Sequence, residues 1–494
     1  MQVILNSGGY TYDVHSLVKA FFPHEEVKVL VNNECENADS NGISVFVSSG
    51  EVLKDAIVTG YVRCTYRDEK HAYVEDAKYS EADRALVKSV LKRVLYKLLS
   101  EQLKTTLPWG TLTGIRPTKI PMSMINEGSS DDEIAEYMSS EYLCSPEKIK
   151  LSTDIARREL KLINSLSNNG FSLYIGIPFC PTTCLYCSFT SYPIVSWKKR
   201  VDEYIAALKK EIDFFAKYYE GRKPDSIYIG GGTPTTLEAA QLAEIINYVK
   251  ARFDLSSLLE LTVEAGRPDS ITTDKLKALH SLGVTRISIN PQTMNEKTLK
   301  IIGRRHTVDD IYVAYEKARE VGFDNINMDL ILGLPGEGEE EVAYTFNKIH
   351  KLAPDSITVH SMAIKRAAGM NEYLEKNHIE SIITPNMMNV AAQCAKSLDM
   401  VPYYLYRQKN MTGNYENVGF AREGKFGVYN IIIMEEITDI AACGAGTVSK
   451  KVTLGTGLGV QNQRIERCDN VKDVGLYIEK IDEMIERKRQ LFND

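Results

Sequence analysis

Between residues 172 and 362, short runs rich in Ile, Val and Tyr alternate with longer stretches of helical periodicity. No other feature limits the fold so tightly. The expected strands are 172–178, 225–231, 259–265, 286–290, 326–331 and 356–362, with helices near 198–219, 237–253, 273–282, 308–320 and 338–350. Such alternation requires parallel pairing, because each crossover consumes about a dozen residues or more. Six parallel strands covered on both faces form an open doubly wound sheet or a partial barrel. In both, ligands gather at the carboxyl ends of the strands.

The loop leaving the first strand reads Cys180-Pro-Thr-Thr-Cys184-Leu-Tyr-Cys187, three of nine cysteines within eight residues. Soft thiolates select zinc, copper(I) or iron–sulfur clusters. A structural zinc site needs a fourth ligand, and the next histidine along the chain is His280. A 4Fe-4S cluster held by three thiolates leaves one iron open to a small molecule. A zinc loop stays the bland alternative on these residues alone. The other cysteines (Cys35, Cys64, Cys144, Cys394, Cys443 and Cys468) are scattered singly. They read as small core residues of a protein in a reducing cytoplasm.

Further candidates stand where the later strands end. Gly230-Gly-Gly-Thr-Pro-Thr235 lets a ligand approach the backbone, though alone it is also a phosphate cradle or a tight turn. Glu264 either accepts hydrogen bonds from a ligand's hydroxyls or is a solvated strand-end acid. Gln292 follows the fourth strand and offers its amide. Arg304, next to Arg305, carries a fork matched to a carboxylate. Asp329 lies in an apolar run and needs a partner, either a buried cation or a ligand.

Cys-x3-Cys-x2-Cys after a first strand, with Tyr186 before the last cysteine, resembles the radical S-adenosylmethionine (radical SAM) enzymes. Tyr174-Ile-Gly-Ile-Pro-Phe-Cys180, the 230–235 turn, Thr262-Val-Glu-Ala265 and the segments 286–292 and 329–335 resemble the oxygen-independent coproporphyrinogen III oxidase group. Ala442-Cys-Gly-Ala-Gly-Thr-Val448 matches more loosely, and the first 165 residues resemble the group's HemZ-type branch. The resemblance implies an α/β fold. A partial (β/α)6 barrel would span 169–365, after an N-terminal α+β accessory domain (1–168) and before a C-terminal extension (366–494) that covers substrate. It implies a 4Fe-4S cluster on Cys180, Cys184 and Cys187. It implies that Tyr174, Tyr186, Gly231, Gly232, Thr233, Glu264, Gln292, Arg304, Asp329, Ala363 and Val448 line SAM. The implied reaction is anaerobic decarboxylation of two propionates of coproporphyrinogen III to vinyls, with flavodoxin or ferredoxin as electron donor. Rival readings within the group are a haem chaperone, with His306 and His360 as candidate haem ligands, and an enzyme that modifies haem.

Two positions depart from the better-studied oxidases. Gly176 stands where they have histidine, and Phe189 where they have a fourth cysteine; haem chaperones of the group also have an aromatic residue there. For the porphyrin itself, Arg407 and Lys409 in Tyr403-Tyr-Leu-Tyr-Arg-Gln-Lys-Asn410 could meet propionates, or the stretch is an ordinary amphipathic strand. A formal net charge of -7 gives no electrostatic reason to expect nucleic acid. No apolar run approaches the roughly 20 residues that span a bilayer, and no export leader is read at the start.

Overall fold

The computed structural model describes residues 1–23, 25–31, 43–47, 59–66, 68–78, 84–114, 116–362, 369–379, 381–408, 415–453 and 464–493. The chain divides into two compact units.

The first unit comprises Met1–Asp154 and Arg407–Glu416. Its sheet contains β1 (Gln2–Leu5), β2 (Lys28–Val31), β3 (Ile43–Val47), β4 (Thr59–Tyr66) and β5 (Asp68–Lys78), in the order β2-β1-β3-β4-β5. β1 runs parallel to both neighbours, while β3, β4 and β5 form an antiparallel meander. Helices Thr11–Phe21 and Arg84–Leu103 supply the other half of the core. Val90, Leu91, Val94, Leu95 and Leu98 repeat at helical spacing and are buried with Val3, Leu5 and Val45. β1 is short and β5 highly charged, which is why neither reads as a strand from periodicity.

Arg407 belongs to this unit and is 4% exposed. Its guanidinium lies over the Trp109 ring, 5.8 Å from the centroid, and donates to the Leu112 carbonyl at 2.6 Å. Burial pushes the group down to about 10, with Glu416 opposing. Glu416 in turn accepts from Trp109 Nε1 and Lys148 Nζ, each at 2.7 Å. Arg407 is therefore held by contacts within its own unit. Lys409 lies outside the described residues.

The second unit comprises Ile155–Tyr406 and Asn417–Asp494. Its parallel strands are β6 (Phe171–Ile177), β9 (Pro224–Gly231), β10 (Glu260–Glu264), β11 (Arg286–Ser288), β12 (Ile326–Leu332) and β13 (Ser356–Ser361). Two short strands, β7 (Phe179–Cys180) and β8 (Tyr192–Pro193), pair with each other. The intervening helices are Val201–Tyr218, Ala239–Arg252, Thr273–Ser281, Val308–Val321 and Glu339–Leu352. They follow the expected spans because their signals are local. Thr307 and Asp310 form a capping box at one start, and Gly322 closes that helix in the left-handed region at φ +112°.

The expected division at 366 is not where this unit ends. Beyond β13 the same sheet continues with β14 (Val401–Tyr406), β15 (Asn417–Ala421), β16 (Asp439–Cys443), β17 (Val448–Thr453) and β18 (Arg464–Asp469). The order is β14-β15-β13-β12-β11-β10-β9-β6-β16-β17-β18. β16 joins β6 in parallel, whereas β15 joins β13 antiparallel. The aromatic stretch from 403 is thus a strand as far as Tyr406. Helices Val474–Glu479 and Ile481–Asn493 end the chain.

Candidate active site

The carboxyl ends of the parallel strands open onto a cavity of about 400 Å³. Its wall follows the two-residue alternation of strands. Tyr228 of β9, Glu264 of β10, Arg286 and Ser288 of β11, Asn327 and Asp329 of β12, and Thr358 and His360 of β13 all face it.

Cys180, Cys184 and Cys187 form one side of this cavity. Their loop is tied down by backbone geometry. Tyr192 N donates to Pro178 O at 2.8 Å, Leu185 N to Ile302 O at 3.1 Å, and Cys187 N to Cys184 O at 3.0 Å. Gly232 N and Thr233 N return to Ile177 O and Phe179 O. The glycine turn therefore presses against the cysteine loop. A Cβ at Gly232 would lie 3.0 Å from Cys180 Sγ and 2.7 Å from Phe179 O, so only glycine fits there without displacement. Thr233 Oγ1 donates to Cys180 Sγ at 3.4 Å. Burial pushes the Cys180 thiol up to about 11, so a metal centre must displace its proton.

Across the cavity, Tyr228 donates to Glu264 Oε1 at 2.6 Å, and its ring stacks with Tyr429 and Tyr174. Burial, reinforced by the nearby charge of Asp329, pushes Glu264 up to about 7 despite the tyrosine. Burial acts the same way on Asp329, but His360 and Asn327 overcome it and hold that carboxyl below its usual value. Asn327 Nδ2 donates to Asp329 at 2.7 Å, and His360 Nε2 lies 3.8 Å from it. Gln292 holds a left-handed backbone (φ +68°), is 7% exposed, and its Oε1 accepts no hydrogen bond from the described residues. A buried oxygen without a donor costs about 1–3 kcal/mol, which a ligand at this point would relieve. Arg304 donates to Tyr186 Oη at 3.1 Å and to Gly266 O at 3.3 Å.

Tyr174, Tyr186, Gly231, Gly232, Thr233, Glu264, Gln292, Arg304 and Asp329 thus line one cavity with the three cysteines. Val448 does not line it; it pairs with Asp469 across β17 and β18. Ala363 lies outside the described residues. His360 faces the cavity, whereas His306 lines a separate one beside Lys300 and Arg305. Arg286, Tyr429 and Arg267 also line the site and were not singled out from sequence. Arg286 had a legible signal, since it shares a strand face with Ser288 and Asn290. Tyr429 and Arg267 had none.

Gly176 is explained by packing. A Cβ there would meet Thr447 Cγ2 at 2.5 Å, so a larger side chain requires the 444–447 turn to move. Phe189 is 74% exposed at the cavity rim.

Three thiols on one loop, a glycine cradle against them and an orphaned amide oxygen opposite fit a thiolate-held cluster beside a polar ligand. Fold and site together define a radical SAM protein. Residues 174–349 match the Radical SAM superfamily. The chain is 37% identical over 488 residues to the oxygen-independent coproporphyrinogen-III oxidase-like protein HemZ of Bacillus subtilis strain 168, covering 95% of this chain and 96% of that one. It is 38% identical over 212 residues to the heme chaperone HemW of the same organism, covering 42% of this chain and 54% of the chaperone. The structure of coproporphyrinogen III oxidase (HemN) from Escherichia coli, described as a radical SAM enzyme, superimposes with a TM-score of 0.50 at 23% identity, covering 66% and 72% of the two chains. This chain belongs to the HemZ-like family of the radical SAM superfamily, whose cofactors are a 4Fe-4S cluster and SAM. Among the described residues no helix is long and apolar enough to cross a membrane.

Proposed function

We propose that this protein decarboxylates two propionate side chains of coproporphyrinogen III to vinyls without oxygen, giving protoporphyrinogen IX. The observation that supports this reading is the match, over 95% of this chain, to an oxidase-like relative. Cys180, Cys184 and Cys187 hold the cluster. Together the cluster and SAM supply a carbon radical able to take hydrogen from an unactivated carbon. Gly231 and Gly232 admit the ligand against backbone, Glu264 accepts from ribose hydroxyls, and the Arg304 fork receives a carboxylate. Flavodoxin or ferredoxin delivers the electron.

The test is anaerobic incubation of the reconstituted, reduced protein with SAM and coproporphyrinogen III. Carbon dioxide and vinyl products are expected; SAM cleavage without either rejects the substrate. His360 on the cavity wall and the aromatic Phe189 favour a second reading, haem delivery. Stoichiometric haem that stays bound without turnover would support it.

Glu264 makes SAM binding depend on pH. Its carboxyl titrates at about 7, so it is mostly neutral at pH 6 and mostly charged at pH 8. Only the charged form accepts with both oxygens. The apparent Kd should fall about tenfold between those pH values, in proportion to the ionised fraction. Equilibrium dialysis measures this directly. Glu264→Gln should flatten the profile, and a flat profile in the unaltered protein refutes the role.

A further inference from the structure

We propose that Arg267 raises the reduction potential of the iron–sulfur centre by donating a charge-assisted hydrogen bond to the Cys184 sulfur. This rests on the reading that the three cysteines hold a 4Fe-4S cluster.

Arg267 leaves the end of β10 in Gly266-Arg-Pro-Asp269 and is 3% exposed. Its Nη1 lies 3.6 Å from Cys184 Sγ, and donates to Thr182 Oγ1 at 3.1 Å and Thr182 O at 3.3 Å. The other edge of the guanidinium is fixed. Nε donates to Asp269 Oδ1 at 3.0 Å and Nη2 to Asp269 Oδ2 at 2.8 Å. This two-point clamp holds the cation in one orientation, with its free edge on the cysteine loop. Arg304 also acts on Cys184, by charge and by a side-chain hydrogen bond, while donating to Tyr186 and Gly266 O. Arg267 donates to the same sulfur from an orientation fixed by Asp269.

A thiolate on iron gains charge density when the cluster accepts an electron. A fixed donor bearing positive charge therefore stabilises the reduced state more than the oxidised one. Hydrogen bonds to the sulfurs and local net charge are the protein's levers on such potentials. Asp269 works in the opposite direction: it orients the guanidinium while offsetting part of its charge. The pair thus poises the centre, making it easier to reduce by a low-potential one-electron donor.

The test is a redox titration of the reconstituted full-length protein without SAM, followed by the EPR signal of the reduced cluster. Arg267→Gln should shift the reduction equilibrium about tenfold toward the oxidised form, about 59 mV lower for a one-electron couple. Asp269→Asn should shift it the other way, because it removes a negative charge and leaves the cation. A potential unchanged in Arg267→Gln overturns the proposal. If that variant fails to assemble its cluster, Asp269→Asn decides: an upward shift supports tuning, and an unchanged or lowered potential overturns it. A purely structural role gives no opposed pair of shifts. Absence of any cluster signal from the unaltered protein would instead sink the reading underneath.

Discussion

Cys184→Ala is expected to abolish the iron–sulfur chromophore and all SAM cleavage, while Cys394→Ala leaves both intact. The contrast isolates position from residue type. Cys184 lines the cavity, in a loop held by backbone bonds from Leu185 to Ile302 and from Cys187 to Cys184. Two thiolates cannot hold a cluster that also keeps one iron open. Cys394 is 8% exposed on the helix Pro385–Ser397, and its thiol donates to Phe346 O at 3.5 Å. It behaves as a small apolar residue. Iron and sulfide content, the visible spectrum and 5'-deoxyadenosine formation read the outcome. A full chromophore in Cys184→Ala would remove the ligand assignment and everything built on it.

The second large effect is on stability. Lys488→Met should destabilise the second unit by about 3–5 kcal/mol, the cost of stranding a buried charge. Lys488 and Glu211 are both fully buried and form an ion pair. Glu211 also accepts from Tyr477 Oη at 2.6 Å, Gly444 N at 2.7 Å and Asn470 Nδ2 at 2.7 Å. One carboxylate thereby ties the last helix to the turn beside Gly176. Removing the ammonium leaves that carboxylate buried with its hydrogen bonds but without its countercharge. At about 2–4 °C per kcal/mol for domains of a few hundred residues, the calorimetric midpoint should fall by roughly 6–20 °C. Glu211→Gln combined with Lys488→Met should recover part of the loss, because the amide oxygen still accepts from Gly444 and Tyr477. An unchanged midpoint in the single variant would show that the pair is dispensable.

Much of the site was legible because its signals are local. The cysteine spacing, the triple glycine and the acid ending β10 each occupy a few consecutive residues. The rhythm of the parallel core then placed all three at one end of the sheet. Other features lacked any local signal. Arg267 and Cys184 are 83 residues apart, and nothing near either one points to the other. Arg407 has the composition of a substrate contact, yet Trp109 and Leu112, about three hundred residues earlier, determine what it touches.

From the sequence alone came the parallel α/β core, the three-thiol loop and the polar strand ends, because periodicity and spacing are properties of neighbouring residues. Tertiary structure alone decided that β16 docks beside β6, that Thr447 fills the space a larger residue at 176 would need, and that Arg267 aims at a cysteine sulfur. These depend on which distant segments share a volume, and close packing settles that only when the whole chain is folded.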